Sequence, residues 1–211
     1  MKTVRMVFAK TGRACYISHL DLTRVMSRAM RRAQIPVWYT EGFNRHPYIT
    51  FAAPLSLGYE GLEETMDFRL EEDMAFAEVV ERMNGAMPEG LTAVSAAEAE
   101  KKVKDLAAGR YRLTTGYPAG QVKALLSRPE IPVEKRTKQK TVKTVDIRPA
   151  FADAAVEDTE DGSVISVVLP LGNDTVNPAL LRSALEADSG EEKRFQVTRL
   201  ALLDTDGKPF R

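Results

Sequence analysis

Four arginines, Arg24, Arg28, Arg31 and Arg32, stand just ahead of a segment reading Gly42-Phe43-Asn44-Arg45-His46-Pro47. A guanidinium makes bidentate bonds to phosphate or carboxylate, so a row of arginines at helical spacing suits successive backbone phosphates. At roughly 100° per residue Arg24, Arg28 and Arg31 fall within about 60° of one another, while Leu22, Val25, Met26, Ala29, Met30 and Ala33 gather on the other side. One face is suited to a core and the other to an anion. Lys10 and Arg13, before the helix, and Arg45 and His46, after it, extend the candidate anion surface. The competing reading is a solvated face, or one paired to Glu60, Glu63, Glu64 and Asp67 in the acidic stretch that follows.

The loop admits two readings as well. Gly42 permits positive φ, Phe43 can stack on a base or plug the core, and Asn44 can bond a base edge or hold its own turn. Trp38 and Tyr39 read as core and strand residues. The chain has two histidines, His19 and His46, and such a pair could serve as base and acid on a ribose hydroxyl and a leaving oxygen. His19, in the first helical turn, sits away from the arginine row. A second basic run, with Lys135, Arg136, Lys138, Lys140 and Lys143, alternates with threonine. Residues two apart share a strand face, so Arg136, Lys138 and Lys140 can form a ribbon of charge for a backbone, or lysines that guard an edge strand.

Several chemistries are missing. No glycine-rich phosphate loop, Gly-x-Ser-x-Gly turn or metal-ligand spacing occurs, and neither a metal nor another cofactor is expected. One cysteine, Cys15, excludes an internal disulfide and reads as a small buried residue. No segment approaches the roughly 20 apolar residues of a membrane span, and the first residues carry no long apolar run, so a cytoplasmic setting is expected. The net charge of zero hides alternating blocks of +7, −10, +9 and −6 over residues 1–50, 51–100, 101–150 and 151–211. Such asymmetry signals an electrostatic footprint unless the blocks pack together and cancel.

The elements that must position these groups follow from periodicity. Residues 3–9 alternate as a strand; Ser18 caps a helix, with Asp21 near a capping box, that runs to about Gln34 ahead of Pro36. Residues 36–40 and 48–53 are short strand candidates, 65–70 a strand, and Asp73 caps a helix ending at Asn84-Gly85 before a strand at 91–95. Strand, helix, strand pair, helix, strand is the ferredoxin-like βαββαβ order. The remainder repeats it: strand 111–115, helix 118–128, extended 131–136 and 141–147, strand 163–169, helix 179–187 after Pro178, and strand 194–203. The expectation is an α+β chain of two tandem ferredoxin-like domains, 1–97 and 109–211, joined by a linker helix at 98–108 rich in Ala, Glu and Lys.

A further signal comes from whole motifs. Lys10-Thr11-Gly12, Tyr16 through Leu22, Arg24, Arg28-Ala29, Arg31-Arg32-Ala33, Pro36, Gly42-Phe43-Asn44, His46-Pro47, Phe51-Ala52, Pro54-Leu55, Gly58 and Glu64 through Asp67 together resemble the uncharacterised bacterial radical-SAM-linked family. The likeness is dense over residues 2–72, with Lys138, Lys140 and Val145-Asp146-Ile147 as its later foothold. Many relatives are expected to have proline where this chain has Arg45. The resemblance implies a radical SAM protein as partner and brings no established activity; one cysteine cannot supply a three-cysteine cluster motif. Tandem ferredoxin-like layout and a basic helix after the first strand are also similar to CRISPR repeat RNA-binding proteins, by fold analogy alone. The expected function is a non-catalytic accessory module that binds structured RNA, tRNA or rRNA, and a radical SAM enzyme. Its alternatives are a metal-independent endoribonuclease using His19 and His46, and a purely protein-docking module.

Overall fold

β1 (Lys2–Lys10) carries Val4, Met6 and Phe8 inward on one face, as its alternation predicts, but its other face is covered too, and Arg5 and Val7 are buried. The computed structural model describes residues 2–136 and 141–211. It is a mixed α+β structure with four α-helices among the described residues and a mostly sheet framework. The chain divides into two units, Met1–Ala107 with Arg199–Arg211, and Ala108–Thr198.

In the first unit β1 lies between β3 (Glu60–Leu70) and β4 (Leu91–Glu98), antiparallel to both. The short β2 (Ile49–Phe51) pairs antiparallel with β3, placing Ile49 opposite Phe68. α1 (His19–Arg32) follows β1, and α2 (Phe76–Ala86) follows β3. Their apolar faces, Leu22, Met26 and Met30 with Val79 and Met83, close a core over Val4, Met6, Phe8, Met66 and Phe68. Burying each such side chain contributes about 1.5–3 kcal/mol, which fixes the helix rotation and so the direction of its polar face.

Two ion pairs, one buried and one partly buried, join strands here. Arg5 donates from Nε and Nη2 to Asp67 at 2.8 and 2.7 Å, and again from Nη2 to the Lys101 carbonyl. Its Nη1 has no hydrogen-bond partner among the described residues, and the Phe210 ring lies 4.1 Å from the guanidinium carbon. Arg199 and Glu64 form the second pair.

Three sequence expectations change in this unit. Residues 98–108 are not a linker helix: β4 runs to Glu98, a 3-10 turn spans Val103–Asp105, and β5 (Leu106–Thr115) follows. Helix propensity is outweighed because Ala99 N–H bonds the Thr3 carbonyl, the Lys101 carbonyl accepts from Arg5 and the Lys101 ammonium pairs with Asp204. Asp73 does not cap α2, whose N-cap is Ala75; Asp73 pairs with Lys2 at 3.3 Å. Asn84-Gly85 lies within α2, where the Asn84 amide bonds both backbone groups of Ala93, and the helix ends at Ala86 ahead of Pro88.

The second unit has β9 (Gly162–Pro170) antiparallel to β5 on one side and to β8 (Ala155–Thr159) on the other. α3 (Ala119–Leu126) and α4 (Ala179–Ser189) bury Val122, Leu125, Leu181 and Leu185. β6 (Pro132–Arg136) and β7 (Val142–Asp146) form a separate hairpin. β8, mostly exposed and reading Ala-Val-Glu-Asp-Thr, carries too few apolar residues to be seen as a strand. The last strand, β10 (Phe195–Asp204), neighbours β5 and belongs to the first unit from Arg199 onward, where it neighbours β3.

Candidate functional site

α1 is fixed at both ends. Ser18 Oγ accepts from Asp21 N–H at 3.1 Å and donates to the Asp21 carboxylate at 2.7 Å. At the other end Gln34 takes φ 53°, Gln34 N–H bonds the Arg31 carbonyl and Ile35 N–H bonds the Met30 carbonyl. This pattern closes the helix with glutamine in the left-handed position usually held by glycine. The Ser18 hydroxyl first, and Arg24 second, hold the Asp21 carboxyl below the usual carboxylate range. A lowered carboxyl pKa favours the fold above the ordinary value and loses that contribution as pH falls through the lowered one. Ser18→Ala is expected to cost about 1 kcal/mol of stability, read as a lower urea midpoint with unchanged slope.

The exposed arginines of α1 do not all face the same way. Arg24, Arg28 and Arg31 line a groove of about 430 Å³ together with Thr23, Ser27, His46, Pro47 and Ile49. Arg24 has a partner, Asp21, at 3.1 Å, and both are exposed. The Arg28 and Arg31 side chains have no hydrogen bond or ion pair among the described residues. The acidic stretch that could have neutralised them is engaged elsewhere: Glu60 accepts from Gly12 N–H, Glu63 from Arg211, Glu64 from Arg199 and Asp67 from Arg5. The antiparallel register that puts Arg5 opposite Asp67 decides this allocation. Cancellation of charge blocks therefore occurs at Arg5 and leaves Arg28 and Arg31 uncompensated.

His46 reaches the groove from the loop. Its Nδ1 lies 2.9 Å from the Asn44 carbonyl and 3.2 Å from Thr40 Oγ1, its N–H bonds Thr40 Oγ1, and its carbonyl accepts from Thr40 N–H. A carbonyl only accepts, so Nδ1 carries the proton in that bond. Phe43, Asn44 and Arg45 are all exposed, and Phe43 does not plug the core. Trp38 and Tyr48, at the foot of the loop, meet edge to face at 5.8 Å, with the Arg69 guanidinium over both rings.

The remaining site expectations separate from the groove. Arg32 points to the end of α2 and donates to the Ala86 carbonyl at 2.6 Å, beside a second hollow that includes Arg82 and Gln34. Lys10 is buried and donates to the carbonyls of Cys15 and Ile17 at 3.1 and 3.2 Å; burial lowers its pKa. It is a structural cation and no part of an exposed anion surface. Arg13 is exposed in a 3-10 turn and does not line the groove. His19 packs edge-on against Phe51 at 5.1 Å, so the groove holds His46 without His19. Cys15 is buried, and burial raises its thiol pKa. In the second unit Lys135 and Lys143 are direct cross-strand partners and both are exposed; β6 ends at Arg136. Lys138 and Lys140 lie outside the described residues. Thr23 and Ser27, missed as site residues, sit four apart beside the arginine row, and that spacing was their signal.

With this geometry in place, the match to a known family is informative. Residues 3–178 fit the model of DUF2344, described as an uncharacterised protein conserved in bacteria. The chain belongs to this family. The groove, its loop and the second unit up to the start of α4 all fall within the matched stretch. No curated protein matches the chain. Among the described residues no helix is long and apolar enough to cross a membrane, and no group of three or more His, Cys, Asp or Glu is placed to hold a metal.

Proposed function

We propose that this protein is a non-catalytic module that grips the phosphate backbone of a structured RNA, tRNA or rRNA, in the α1 groove, and delivers it to a partner enzyme. The observation that carries the reading is that Arg28 and Arg31 share a groove with His46 while Glu60, Glu63, Glu64 and Asp67 are bound to other cations or to backbone. Uncompensated guanidiniums on a rigid helix retain their attraction for phosphate. The separation of His19 from His46 favours binding over cleavage.

The strand orders support the ferredoxin-like reading of both units. In the first, β4-β1-β3 with β2 on β3 and two helices is the order that βαββαβ connectivity produces; β10-β5-β9-β8 repeats it in the second, with the β6–β7 hairpin inserted. The resemblance noted above nominates a radical SAM protein as the cytoplasmic partner, which would have to supply the cluster that a chain with one cysteine cannot.

Fluorescence anisotropy with a labelled tRNA across a salt series tests the reading. Engagement of about four phosphates, by Arg24, Arg28, Arg31 and Arg45, predicts a slope of about −3 in log K against log salt. A folded protein that binds no RNA at low salt removes the proposal.

A further inference from the structure

We infer that the groove selects an unpaired strand, one phosphate of which lies on Arg28 and Arg31 while a nearby base stacks on Phe43. The inference rests on the phosphate-gripping reading of the same groove. Its own support is the combination of an apolar ring left wholly in solvent and a loop built to hold it there.

Phe43 is fully exposed, within a run of exposed residues from Glu41 to His46. Leaving such a ring in water forgoes the favourable burial of its apolar surface, which a partner would recover. The loop is nevertheless well tied. Thr40 and His46 bond each other through backbone and side chain, the imidazole also holds the Asn44 carbonyl, and Tyr39 bridges Pro47. Gly42 has φ +111°, a conformation that side-chain-bearing residues rarely adopt, and it sets the turn just before the ring. Below, the Trp38, Tyr48 and Arg69 stack fills the foot of the loop. These ties fix the ends of the loop and leave its apolar tip free for a ligand.

The same imidazole that closes the loop lines the arginine groove, so the loop that carries the ring borders the guanidiniums of α1. Three residue steps lead from Phe43 to His46, a reach of at most about 10 Å, or roughly three stacked nucleotide steps of 3.4 Å. A strand whose phosphate occupies the groove can therefore bring a nearby base to the ring. A base in a duplex is already stacked on both faces and offers the ring nothing, whereas an unpaired base gains about 1–3 kcal/mol from an aromatic side chain. Arg45, exposed and without a partner among the described residues, adds a cation to the same loop two residues after the ring.

Binding of the whole chain to a short oligouridine and to a blunt RNA duplex of equal length tests this. The wild type should prefer the single strand. Phe43→Ala should weaken single-strand binding by roughly 5- to 150-fold and leave duplex binding unchanged. Phe43→Trp should restore it, with fluorescence quenched by the oligouridine and not by the duplex. The residue is exposed, so none of these variants threatens the fold. If Phe43→Ala keeps wild-type affinity for oligouridine while joint substitution of Arg28 and Arg31 by alanine abolishes it, stacking is overturned and phosphate gripping stands. A wild type that binds neither probe overturns both.

Discussion

Arg199→Ala should lower stability by about 3–5 kcal/mol, seen as a large drop in the urea midpoint. Arg199 and Glu64 are 2% and 3% exposed, and the guanidinium grips the carboxylate through Nε at 2.8 Å and Nη2 at 2.5 Å. Nη2 also donates to the Ala53 carbonyl at 2.8 Å. Gly61 admits the carboxylate: a Cβ there would stand 2.4 Å from Glu64 Oε1. Deleting the arginine strands a buried carboxylate whose other nearby cation is Lys10, itself desolvated. The penalty arises from the orphaned charge more than from the loss of a favourable pair, so replacing both residues by methionine should recover most of it. A cost below about 1 kcal/mol for Arg199→Ala would show that water reaches the pair. The lowered Lys10 pKa adds a pH signature. Between that value and the ordinary lysine range the unfolded chain binds more protons, so stability rises with pH across that alkaline window.

Arg199 also marks the limit of what periodicity reveals. β1, α1, its Ser18 cap and the rotation of its arginine face were legible because each depends on neighbours within one helical turn or on alternation along one strand. Destinations decided by register were not. The acidic residues from Glu60 to Asp67 looked equally able to serve α1 and β1, and only the pairing of Arg5 with Asp67 across antiparallel strands settles the choice. Lys10 reads as an exposed turn lysine until the carbonyls of Cys15 and Ile17 fold over it. Arg32 follows Arg31 by one residue, but that step turns it about 100° around the helix, towards the α2 terminus. Residues 98–108 have helical composition and are held extended by contacts distant in sequence, including Thr3 and Asp204. Helical angle alone turns His19 away from the arginine row; its packing on Phe51 depends on the fold.

Joint substitution of Arg28 and Arg31 by alanine should reduce RNA affinity by on the order of 100-fold at moderate salt, about tenfold for each lost phosphate contact. It should also make the salt slope shallower by about 2, because two fewer counterions are released. Both residues are exposed and neither pairs with a described residue, so the urea midpoint should stay within about 0.5 kcal/mol of wild type. That separates lost recognition from lost folding. Lysine at both positions keeps the charge but not the planar fork, and should restore the slope while recovering only part of the affinity. Arg32→Ala is the matched control: it removes one positive charge from the same helix, but from a side chain committed to the Ala86 carbonyl. It should cost some stability and little RNA affinity. Equal losses of affinity from Arg32→Ala and from Arg31→Ala would mean that RNA senses only the net charge of α1, and the groove would lose its claim as the site.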